Sequence, residues 1–152
     1  MPELPLDELV VREGRLFHRA ASLPETEHLV TGAVAVQAKA QLVELAGDEV
    51  SYAFALNEAP DSAWSELFAA NRDGLVAEIQ GAQLELRCEP EELERNYAKA
   101  KDLLARTNRD YAGAKARIIE RVVEHEAERR RAQRDSDARS RALRAQFERL
   151  EL

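Results

Sequence analysis

Apolar and small residues recur in steps of four and three along the last part of the chain: Leu93, Tyr97, Ala100, Leu104, Thr107, Tyr111, Ala114 and Ile118. That spacing is a heptad seam, the pattern of a coiled coil, and only a long helix presents it on one face. Glu89-Pro90-Glu91-Glu92 supplies a start. Proline fits the first helical turn, and carboxylates there meet the positive end of the helix dipole. The seam thins at Thr107, and Ile119, Val122 and Val123 then widen the stripe. Thr107-Asn108-Arg109-Asp110 is polar enough to make a turn, which would fold the segment back as a helical hairpin. The heptad keeps its phase through Thr107, which favours one continuous helix.

A helix from Pro90 to Glu126 would be about 55 Å long at about 1.5 Å per residue. A domain of about 100 residues has a radius of gyration near ~13 Å and cannot cover it. The early seam is therefore predicted to pack on its own domain, and Ile118, Ile119, Val122 and Val123 to reach past it. Monomers rarely leave such a patch in water. The expected contact set for a second copy or a protein partner is Tyr97, Leu104, Tyr111, Ile118, Ile119, Val122 and Val123.

Upstream, the periodicity changes to two. Val34, Val36, Ala38, Ala40 and Leu42 alternate with Ala35, Gln37, Lys39 and Gln41, as in a strand with one buried face. The phase slips at Val43-Glu44-Leu45, which predicts a bulge or strand end. Ala46-Gly47-Asp48-Glu49 reads as a hairpin turn, and the return strand carries Val50, Tyr52, Phe54 and Leu56 inward. Pro60 stops it, and Asp61 or Ser62 can cap a short helix bearing Trp64 and Phe68 on one face. That pair reads as the anchor of the helix on the sheet, in preference to a surface recognition pair. Residues 75–88 give a further hairpin, with Leu84, Leu86 and Cys88 on its apolar side.

Residues 1–27 are weakly patterned. Leu9-Val10-Val11 and Arg15-Leu16-Phe17 flank Arg12-Glu13-Gly14 as a short hairpin, and 22–27 reads as a linker. The predicted class is thus α+β: antiparallel β-hairpins with one short helix, in β-β-α-β-β-α order, ending in a long C-terminal helix. The expected division is 1–27, an α+β domain over 28–126, and a charged tail over 127–152.

Charge is 34% of the chain, above the usual quarter or so, and aromatics are 5%. The core must therefore rest on Val, Leu, Ile and Ala, with the excess charge on an extended solvated surface. The net charge of −7 is uneven: residues 1–90 hold 16 acidic and 6 basic side chains, and 91–152 hold 13 and 16. The tail concentrates arginine, with Arg129, Arg130, Arg131 and Arg134 as candidate nucleic-acid contacts. Phe147 is its one aromatic, and acids dilute the basic charge, so a solvated helix laced with ion pairs is the plainer account. Asp135-Ser136-Asp137 is where its composition predicts a break.

Chemistry-bearing patterns are scarce. His18, His28 and His125 are scattered, and with Cys88 alone they do not make a zinc set. The six glycines never cluster into a phosphate cradle. Cys88 falls on an apolar strand face, where it acts as a small hydrophobe rather than a reactive thiol. Glu78 and Glu85 face each other across a hairpin, a weak basis for acid–base work. No catalytic residue, metal or cofactor is predicted. A single cysteine, no basic-apolar leader and no run of roughly 18 apolar residues lead to the expectation of a cytoplasmic chain without membrane contact. The sequence thus points to a non-enzymatic interaction or assembly module working through its long helix. Nucleic-acid binding through 129–149 is the alternative, and an enzyme with a cleft between sheet and helix has the least support.

Overall fold

The computed structural model describes residues 5–19 and 25–150, with the backbone alone described over 40–46. The class is α+β, with two antiparallel sheets, a short helix and a long C-terminal one. The chain divides into two compact units. One runs from Leu29 to Ala116, and the other joins the N-terminal segment up to His28 with the chain from Arg117 onward.

The first unit is built on a four-stranded sheet. Its strands, numbered after the three of the second unit, are β4 (Val36–Ala46), β5 (Glu49–Leu56), β6 (Ala77–Gln80) and β7 (Gln83–Cys88), ordered β4-β5-β7-β6. Gly47, at φ +64, takes the left-handed backbone that closes the β4–β5 turn, with Ala46 opposite Glu49. The predicted phase slip is present as register shifts between Lys39 and Leu42 and between Leu42 and Glu44, with another between Val36 and Ala38. Each leaves an extra residue on β4, as a bulge does. Phe54 pairs with Leu84, Tyr52 with Leu86 and Val50 with Cys88, so these residues share one face. Leu84 and Leu86 on that face are fully buried, whereas Tyr52 keeps partial exposure.

Helix α1 (Ser62–Ala70) begins at Asp61, whose Oδ1 accepts from the Trp64 backbone N–H at 2.9 Å. Trp64 and Phe68 are buried and stacked at 5.6 Å, as the anchor reading requires. Helix α2 runs unbroken from Leu93 to Glu148, 56 residues or about 84 Å. It does not fold back at 107–110, and it does not break at Asp135-Ser136-Asp137. The polarity of 107–110 has another cause. Thr107 is fully buried and its hydroxyl donates to the Leu103 carbonyl. Asn108 reaches the Val34 backbone through both amide atoms and accepts from Trp64 Nε1 at 3.0 Å.

In the second unit, β1 (Leu9–Arg12) and β2 (Arg15–His18) form the predicted hairpin, with Glu13 and Gly14 at φ +52 and +73 making its two-residue turn. Residues Thr26–Glu27, read from sequence as linker, are instead a third strand, β3, paired with β2. The Arg15 guanidinium ties it down through a two-pronged ion pair with Glu27. The first half of the predicted linker, 22–24, lies outside the described residues, as do 20 and 21.

Candidate interaction site

The heptad seam is largely consumed inside the chain. Ala100, Leu104, Thr107, Tyr111 and Ala114 are buried in the first unit, and Tyr97 stacks on Phe54 at 4.9 Å with Lys101 above its ring. In the second unit Ile118 is 8% exposed and Val122 0%. The expectation that both stand uncovered is therefore corrected: this unit also contributes the buried side chains Leu9, Val10 and Leu16. Ile119 is half-buried, and of the seven expected contact residues only Val123, at 48%, is well exposed.

Tyr111 is held by a carboxylate rather than a lipophilic partner. Its hydroxyl donates to Asp61 Oδ2 at 2.5 Å, and that oxygen also takes the Thr31 N–H at 3.3 Å. The Asp61 N–H in turn donates to Thr31 Oγ1 at 2.7 Å. Burial pushes the Asp61 carboxyl up, but hydrogen bonds from Tyr111, the Trp64 N–H and Thr31 outweigh it and hold the group below its ordinary value. Burial and the bond to Asp61 push the Tyr111 phenol up. A carboxylate with a depressed folded pKa adds stability above its unfolded value of about 3.9 and loses it as pH falls through the folded value. Asp61→Asn, which keeps a capping oxygen, should therefore lower the melting temperature at pH 7. The gap between variant and parent should begin to narrow below about pH 4, the unfolded value, and close once pH falls past the depressed folded value. Melting curves from pH 2.5 to 7 check this, and a gap constant over that range would remove the charge from the account.

The second unit gathers charge. His125 Nε2 lies 2.5 Å from Asp7 Oδ1, and that contact, with the nearby Arg129, draws the Asp7 carboxyl below its usual range. His18 Nε2 and His28 Nδ1 are 2.6 Å apart, a geometry that needs one ring to donate and the other to accept. Arg129 and Arg130 line a cleft of about 270 Å³ with Arg12, Arg19, Gln133 and Glu126. Arg131 and Arg134 are exposed but do not line it. Sequence reasoning missed Arg12 and Arg19, which stand more than a hundred residues from their neighbours and carry no local signal.

Every residue from 127 to 150 is exposed, 127–148 of them on α2. Leu143 and Phe147, 59% and 73% exposed, are four apart and share one face of α2, and Leu150, 69% exposed, follows just past its end. Gln133 Nε2 donates to Asp137 Oδ1 at 3.0 Å across one turn of the same stretch.

In the first unit a cleft of about 330 Å³ mixes Arg72, Lys99 and Arg106 with Asp73 and Asp102, a near balance of charge. Glu78 and Glu85 are direct cross-strand partners, with Glu78 exposed. Cys88 is buried, and burial pushes its thiol up. Among the described residues no group of three His, Cys, Asp or Glu could hold a metal ion, and no helix is long and apolar enough to cross a membrane. No buried side-chain nitrogen or oxygen among them lacks a hydrogen-bond partner. Compared with known proteins, the chain matches no family model, no curated protein and no solved structure.

Proposed function

We propose that the chain is a non-enzymatic assembly module that pairs with a second copy of itself through the exposed part of α2. The observation that supports this is the apolar pair Leu143 and Phe147 on one face of α2, with Leu150 just past its end, all open to water in a stretch exposed from 127 to 150. A helix polar all round can stand alone on charge pairs, but large side chains aligned on one face gain by being covered. Meeting the same three residues of a second copy makes a self-complementary, two-fold contact. Asp135, Asp137 and Glu148 among the arginines give both charge signs to its margins. The contact set is thus moved from the buried seam to the helix end.

Sedimentation equilibrium of the full chain tests the reading. A concentration-dependent dimer is expected, at least tenfold weaker in Phe147→Asp. The melting temperature of that variant at low concentration should match the parent, because Phe147 lies in the exposed stretch. A parent that stays monomeric at the highest attainable concentration would sink self-pairing.

A further inference from the structure

We infer that the cleft formed by Arg12, Arg19, Arg129, Arg130 and Gln133 binds a small phosphate-bearing anion, of the size and charge of a diphosphate. Guanidinium groups repel one another, so four of them around one cleft with a single acid, Glu126, is an arrangement that an anion stabilises. Among the described residues no carboxylate lies within ion-pair distance of any of the four. Among the described residues Glu126 is the one acid lining the cleft, which leaves three positive charges on them. A single phosphate monoester supplies about −1.5 to −2, so two linked phosphates match the cleft better than one. Each guanidinium can grip two phosphate oxygens in parallel, and the Gln133 amide adds an uncharged donor.

The two pairs of arginines come from different parts of the unit. Arg12 ends β1, with its Nη1 donating to the Val11 carbonyl at 3.2 Å, and Arg19 follows β2. Arg129 and Arg130 are on consecutive positions of α2. An anion between them would crosslink the hairpin to the helix, so binding and the stability of this unit are coupled. Among the described residues no aromatic side chain lines the cleft, which favours the phosphates themselves over stacked bases of a single-stranded nucleic acid.

Calorimetric titration of the full chain with inorganic pyrophosphate at low ionic strength tests the site. One anion per chain is expected, with affinity at least tenfold lower in Arg19→Gln and in Arg130→Gln and unchanged in Arg139→Gln, whose arginine lies outside the cleft. Circular dichroism checks that each variant remains folded. Absence of binding at millimolar pyrophosphate would overturn the site. So would an equal loss in Arg139→Gln, or tighter binding of a single-stranded oligonucleotide that weakens equally in all three variants, since either means diffuse attraction to the arginine-rich helix. The Phe147→Asp chain should bind pyrophosphate like the parent, so failure of self-pairing and failure of this site are separately visible.

Discussion

Replacing Trp64 with alanine is expected to cost about 3–5 kcal/mol, the range for removing a large buried aromatic. Trp64 has no exposed surface and stacks on Phe68, so its loss opens a cavity at the junction of α1 with the core. It also removes the indole N–H that Asn108 Oδ1 accepts, while the same Asn108 continues to hold Val34. Domains of this size are stable by only about 5–15 kcal/mol, so the variant should lose most of its margin. Urea unfolding gives the number. Trp64→Phe, which keeps most of the volume but drops the N–H, should lose less, about 0.5–1.5 kcal/mol for one hydrogen bond, because Asn108 Oδ1 still accepts from the Val34 N–H. Trp64 is the only tryptophan, so its emission reports on this site alone. Native emission should be blue-shifted and move red on unfolding, and emission already at the exposed limit would contradict the burial.

The second large effect is expected at Val122. Its side chain is fully buried in the second unit, and Val122→Asp would place a carboxylate there without a partner. Uncompensated buried charge costs about 3–5 kcal/mol. The adjacent Val123 is 48% exposed, so Val123→Asp should stay within about 0.5 kcal/mol of the parent. Hydrogen exchange separates the two: amides of β1 and β2 should lose protection in Val122→Asp and keep it in Val123→Asp. Equal behaviour of the pair would mean that Val122 is not a core residue. Charge placed at Val122 would also be a poor probe of self-pairing, because it disturbs the fold first.

Local chemistry made most of the elements legible. Glu13-Gly14 and Gly47 mark turns because their backbones turn left-handed, and Asp61 marks the start of α1 because its side chain replaces a missing helical acceptor. The phase slip near Val43 is visible because a bulge moves every later side chain to the other face. What stayed hidden depends on distance along the chain. A polar Asn108 looks like turn chemistry until Val34 and Trp64 are beside it. The seam around Ile118 and Val122 looks uncovered because the hairpin sharing its unit lies at the other end of the sequence. Thr26–Glu27 is too short for periodicity, and its strand exists through pairing with β2 and the Arg15–Glu27 contact. The arginine cleft draws on the same long separation, so half of its residues were legible as a basic run and half were not.

The second unit also has a consequence for how the protein is made. Its N-terminal segment ends at His28 and its helical part begins at Arg117, and the Asp7–His125 contact spans 118 residues. During synthesis at about 5–20 residues per second, the hairpin emerges roughly 5–18 s before the helix segment it belongs with. Throughout that interval Leu9, Val10 and Leu16 have no core to enter, and a short isolated hairpin is marginal in water. The first unit, whose parts lie between, can close on its own local contacts earlier. The β1–β2 hairpin is thus translated well before the helix segment that secures it.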